Sequence, residues 1–196
     1  MSNFLTRRRE PNQFMLWLLI AGSVFIFTIL LMAYLARRTG ADWKDIAMPK
    51  VFLASTAVML ASSLTLHIAN GAFQHDRFRQ YRSYLGTTLF LGVLFVLLQV
   101  LGWREWAMDG VYVQTNPSSS FLYLLSGLHL LHILIGLIFL AIPYVQAVRR
   151  KPYIEIFVYS VNPPNQLRLR LITLYWHFVD VLWMYVFLFL LFHHGV

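Results

Sequence analysis

Five apolar runs, at 14–35, 51–70, 84–102, 121–145 and 171–192, dominate this chain and decide what it can fold into. A helix rises about 1.5 Å per residue, so roughly 20 apolar residues cross a hydrocarbon core about 30 Å thick. With 59% hydrophobic and 12% charged residues, a soluble domain of 196 residues would leave far too much apolar surface wet. The expected class is an all-α integral membrane protein, with five transmembrane helices in one bundle and 1–196 as a single domain. The first run follows Arg7-Arg-Arg9-Glu-Pro11 and no small-residue cleavage site comes after it, so it reads as a retained span and not as a removed signal peptide.

The formal charge of +8 would suggest nucleic acid in a soluble protein. Here the positive residues sit in short connections, where they set topology. With the N-terminus inside, eleven fall on the inner side (Arg7, Arg8, Arg9, Arg77, Arg79, Arg82, Arg149, Arg150, Lys151, Arg168 and Arg170) and five on the outer side (Arg37, Arg38, Lys44, Lys50 and Arg104). That asymmetry predicts N-in and C-out. Arg77, Arg79 and Arg82 lie just inside the membrane, placed for anionic phospholipid headgroups or simply to set topology. With no cysteine, the chain has no disulfide, no thiolate-held iron–sulfur cluster or copper, and no cysteine nucleophile.

Connections are expected at 36–50, ending in Pro49 in the first turn of the second helix, at 75–83, and at 103–120 with Trp103 and Trp106 at the interface. The longest, 146–170, holds an extended-looking 153–159 and a turn at Asn162-Pro-Pro-Asn165. Small residues mark the faces where helices approach: Ala21-Gly22-Ser23, then Ala54, Ala57, Ala61, Ser62 and Ser63, then Gly86 and Gly92 beside the amide Gln99.

Inside this apolar setting lie four histidines, His67, His129, His132 and His177, and a single acid, Asp180. A carboxylate in hydrocarbon costs several kcal/mol unless it is paired or buried in protein, so the last helix must face protein. His129 and His132 are three apart and share a face with Gly136, and His177, Asp180 and Met184 form a second such face. Counting rise per residue puts His132 about 16 Å from the outer edge and Asp180 about 14 Å from the inner edge, which coincide near the midplane. His67 and His177 both fall within about 10 Å of the inner edge.

Four readings fit this constellation. His-x-x-His facing His-x-x-Asp supplies ligands for a metal. Paired histidines on separate helices could ligate haem. A carboxyl with imidazole neighbours could start a proton or ion path, although no chain of acids continues it to either surface. The plainest reading is interhelical hydrogen bonding that fixes helix order, worth about 0.6–2 kcal/mol per contact. It places His129, His132, His177, Asp180 and His67 in a structural polar core with no catalytic residue and no metal. Its specific expectation is a hydrogen bond from His129 or His132 to Asp180 or His177.

Tyr175-Trp-His-Phe-Val-Asp-Val-Leu-Trp183 closely resembles the last-helix signature of subunit III of the haem–copper terminal oxidases. Gly127-Leu-His-Leu-Leu-His-Ile-Leu-Ile-Gly136 is similar to that family's Gly-x-His-x-x-His-x-x-x-Gly helix, and weaker similarity runs through 53–67 and 89–106. The length resembles the five-helix bacterial form.

The resemblance implies an accessory subunit without a redox centre in a bacterial inner-membrane oxidase that reduces oxygen to water. Haem and copper would sit in subunits I and II. This chain would pack on subunit I, bind phospholipid between its helices and support proton uptake, with a supercomplex as a further partner. Cytochrome c is the expected donor. A quinol oxidase uses a similar subunit, and a stand-alone membrane cytochrome or an ion transporter is the remoter alternative. Many members carry a glutamate in the helix corresponding to the first run; here Ser23 stands at the equivalent position.

Overall fold

The computed structural model describes residues 10–149 and 163–194. Among them are five helices: α1 (Glu10–Arg37), α2 (Val51–Gln74), α3 (Phe78–Met108), α4 (Pro117–Arg149) and α5 (Pro163–His194). Each is long and apolar enough to cross a membrane. α2, α3, α4 and α5 close a ring of neighbours, and α1 lies outside it against α4 and α5. The apolar stretch of α5 is accordingly the most enclosed, half buried, against 17% for α1.

The helices overrun the expected spans because their ends carry their own stop and start chemistry. α2 closes with bonds from Arg77 N–H to the Ala72 carbonyl (2.9 Å) and Asp76 N–H to the Phe73 carbonyl (3.3 Å). This is a Schellman closure, with Asp76 in the left-handed position (φ 56°) that glycine usually fills. α3 ends the same way, through Val111 N–H to Trp106 O (2.8 Å) and Gly110 N–H to Ala107 O (3.2 Å), with Gly110 at φ 75°. At the start of α4, Asn116 Oδ1 accepts from Ser119 N–H (2.9 Å) and Ser119 Oγ from Asn116 N–H (3.2 Å), just before Pro117 in the first turn.

Several expectations are corrected here. Trp103 and Trp106 belong to α3 and not to a loop, and Trp106 is buried, its Nε1 donating to the Ala47 carbonyl at 3.1 Å. Pro49 precedes the cap residue Lys50 and lies outside the second helix. Residues 146–149 and 163–170 are helical, so the turn read at Asn162-Pro-Pro-Asn165 gives way to a helix that starts on its prolines, where a missing N–H costs nothing. The extended segment read at 153–159 lies outside the described residues, as do Arg7, Arg8, Arg9, Arg150 and Lys151.

Two buried clusters stack along the bundle. The larger contains Phe27, Phe52, Phe95, Trp106, Val179 and Trp183; the smaller, toward the end that carries Arg77, Arg79 and Arg82, contains Leu66, Phe73, Leu85, Leu140 and Trp176. Close approach depends on glycine at Gly92, where a Cβ would lie 2.7 Å from Leu137 Cδ2 and 2.8 Å from the Trp176 ring. At Gly136 it would meet Tyr175 and Trp176 at 3.2–3.3 Å. The small residues of the first two helices divide differently. Ser23 and Ser62 face inward, whereas Ala21, Gly22, Ala54 and Ala57 are exposed.

Candidate functional site

The indoles of α5 and His177 meet hydroxyls of α2. Trp183 Nε1 donates to Thr56 Oγ1 (3.0 Å), Trp176 Nε1 donates to Ser62 Oγ (3.1 Å), and Ser63 Oγ lies 2.7 Å from His177 Nδ1. The three contacts share one antiparallel register, so a two-turn spacing on α5 meets the matching spacing on α2. Each hydroxyl that accepts an indole proton donates its own to a carbonyl one turn back, Thr56 to Phe52 (2.7 Å) and Ser62 to Met59 (2.7 Å). Both capacities of these hydroxyls are therefore used, as burial in hydrocarbon demands.

His177 is half-buried, and its Nδ1 stands 3.8 Å from Asp180 Oδ2, too far for a hydrogen bond. Asp180 is buried, 4% exposed, and neither carboxyl oxygen has a hydrogen-bond partner among the described residues. The contact is an ion pair only when His177 carries a proton.

His129 and His132 diverge. His129 is fully buried, its ring 4.8 Å from that of Trp183 and 5.8 Å from that of Phe95, and neither ring nitrogen has a hydrogen-bond partner among the described residues. His132 turns to α1. Its Nδ1 donates to the Leu128 carbonyl (2.8 Å), which leaves Nε2 as the acceptor of the neutral ring, 3.1 Å from Ser23 Oγ. Ser23 also lies 2.8 Å from the Leu19 carbonyl, so its single hydroxyl proton serves one of the two at a time. Tyr175 reaches the His132 carbonyl at 3.1 Å.

The expected bond from His129 or His132 to Asp180 or His177 is not among the hydrogen bonds of the described residues. Matching depth on two helices does not fix azimuth: His132 turns to α1, His177 to α2, and His129 packs on the Trp183 ring instead of the carboxyl of Asp180. His67 is likewise corrected: it lies on the exposed face of α2, outside the polar interior. No three of His, Cys, Asp and Glu converge to hold a metal ion among the described residues.

The three arginines also separate. Arg79 and Arg82 line a groove of about 420 Å³ with Ser83, Gly86, Tyr144 and Val148, between α3 and α4. Arg77 lines a different groove with His67, His75 and Gln80.

The residues that the sequence reading missed are the indole donors Trp176 and Trp183, their acceptor Thr56, and the pair Tyr34–His194 (2.7 Å), which ties α1 to the far end of α5. A usable signal existed for the tryptophans. A buried indole N–H needs an acceptor, and α2 is the helix richest in serine and threonine.

The family model described as cytochrome c oxidase subunit III matches residues 9–195. The chain is 29% identical to the cytochrome c oxidase subunit 3 of Bacillus sp. (strain PS3) over 182 residues, covering 90% of this chain and 83% of that one. It is 26% identical to the probable quinol oxidase subunit 3 of Staphylococcus aureus (strain USA300) over 187 residues, covering 93% of this chain and 89% of that one.

Proposed function

The chain belongs to the cytochrome c oxidase subunit III family, and from that premise we propose that it is the accessory, non-redox subunit III of a bacterial aerobic oxidase fed by cytochrome c. The observation that carries this reading is the family match across 9–195, which takes in every membrane-spanning helix. The chemistry inside the bundle supports an accessory role. His132 and His177 are engaged by serine hydroxyls of neighbouring helices, His129 is packed against Trp183 and Phe95, and no cysteine is present to hold copper. Such groups set helix order and azimuth.

In this reading the haems and copper reside in subunits I and II, the bundle packs on subunit I, and the assembly lies in the inner membrane with N-in and C-out. The Arg79–Arg82 groove then faces inward and takes an anionic phospholipid headgroup. The similarity to a probable quinol oxidase subunit 3 favours a second reading in which quinol is the donor.

Purification of the complex through a tag on this chain tests both. Co-elution of a haem–copper subunit I with oxygen uptake driven by reduced cytochrome c is the expected result. Uptake driven only by quinol selects the second reading. A tagged chain that elutes without any haem-bearing partner overturns both.

A further inference from the structure

A cleft of about 270 Å³ opens between α1, α2 and α5 at the end where Arg168 and Arg170 lie, and His177 is the residue of its wall farthest along α5. Gln13 and Trp17 line it from α1, Asn70 from α2, and Arg170 and Thr173 from α5. A larger cavity of about 610 Å³ shares Asn70 and Arg170 with it and adds Gln74, Asp76 and Gln166, so the polar wall is continuous toward the end of the bundle. His177 is seven residues from Arg170, about 10 Å down the helix, and Asp180 is about 15 Å down, half the thickness of a hydrocarbon core.

From His177 one further step reaches Asp180, and beyond it the Trp183 indole is already committed to Thr56. Ser63 Oγ lies 2.7 Å from His177 Nδ1, and that nitrogen is 3.8 Å from Asp180 Oδ2. Beyond Asp180 the buried face of α5 is Leu182, Trp183, Val186, Phe187 and Leu190. The ionisable groups along the route are Arg170 and His177 on α5, with Asp76 in the adjoining cavity; α1 contributes Gln13, and α2 contributes Asn70 and Ser63. On α4, His132 is committed to Ser23 and faces α1, and His129 lies fully buried against Trp183, one turn beyond Asp180 on α5.

A buried carboxylate with no hydrogen bond to either oxygen among the described residues is an uncompensated charge worth several kcal/mol. The His177 imidazole, 3.8 Å from it, lines the polar cleft. We propose that Asp180 is an exchangeable proton-binding site, loaded from the arginine-rich end through the α1–α2–α5 cleft and His177 and closed toward the opposite end. The step is a reversible protonation: one O–H bond forms on the carboxylate, the proton comes from cleft water through the imidazole, and no electrons move. A route open at one end only makes the site a proton store and not a channel. The inference uses the proposed oxidase as the assembly in which the chain is studied, but it holds for either electron donor.

Infrared spectroscopy of the intact complex, transferred from water to heavy water, is the test. The wild type should show a protonated-carboxyl carbonyl band that shifts on deuteration and that Asp180→Asn removes. Asn70→Trp, which fills the cleft mouth and keeps Asp180, should slow that shift by roughly tenfold or more. Leu97→Trp, placed on an exposed face of α3, should leave the rate unchanged. A spectrum with no band attributable to Asp180, or equal exchange rates in Asn70→Trp and wild type, overturns the proposal. Loss of the oxidase reading would show instead as failure to co-elute with a haem-bearing subunit, a different observable.

Discussion

A histidine in hydrocarbon must find somewhere to put two ring nitrogens, and three residues of this chain meet that demand to different degrees. His132 spends one on its own helix and the other on Ser23 of α1. His177 spends one on Ser63 of α2 and keeps contact with a cleft. His129 relies on ring packing against Trp183 and Phe95. The sequence matches His132 with Asp180 and His177 with His67 in depth, because rise per residue is a one-dimensional count. It leaves open which neighbour each one meets, since that depends on helix rotation. Glycine positions are more tightly determined. A Cβ on Gly92 would penetrate both Leu137 and Trp176, and overpacking of this kind costs about 1–3 kcal/mol. Gly92→Ala should therefore lower the thermal midpoint of the purified complex. Gly22→Ala, where nothing lies within 4 Å, should not lower it. Equal midpoints for Gly92→Ala and wild type would contradict the close approach of α3, α4 and α5.

At the scale of elements, the five helices were legible from hydropathy and length, while their ends were not. Hydropathy falls where charged residues begin, but a helix ends where its carbonyls find other donors. The α2–α3 turn uses Asp76 in a left-handed conformation, and no glycine marks it. Trp103 and Trp106 looked interfacial because indoles favour that zone, yet their N–H groups donate to Ser126 and to the Ala47 carbonyl, which keeps both in the packed end of α3. The α2–α5 seam was hidden for a related reason: its donors are tryptophans, which read as apolar bulk. Interhelical hydrogen bonds in membranes average about 0.6 kcal/mol and reach about 1.7. A double-mutant cycle on Trp183→Phe and Thr56→Val should return a coupling energy in that range, with the transfer and cavity terms of each single change cancelling. Zero coupling would mean that the two side chains do not share a hydrogen bond.

For the whole molecule, the arginines are the link between one chain and its surroundings. Arg79 and Arg82 converge on a groove closed by Tyr144, and Gly86 leaves room there for the tyrosine ring, since a Cβ would lie 2.8 Å from it. A headgroup phosphate there gains about 1 kcal/mol per basic residue. Native mass spectrometry of an Arg79→Ala/Arg82→Ala variant should show less retained anionic lipid than Arg77→Ala, because Arg77 lines another groove. Equal retention in the two would reduce these arginines to topology signals.

The same charges forecast the orientation, and the absence of cysteine makes that forecast testable on this chain alone. Asp42, in the α1–α2 connection, belongs to the end with Arg37, Arg38 and Lys44, whereas His75, in the α2–α3 turn, belongs to the end with Arg77, Arg79 and Arg82. An excess of basic residues holds a loop on the cytoplasmic side during insertion. A membrane-impermeant maleimide applied to intact cells should therefore label the band of Asp42→Cys at once and that of His75→Cys only after lysis. The reverse pattern would invert the bundle and place the mouth of the Asp180 cleft on the outer surface.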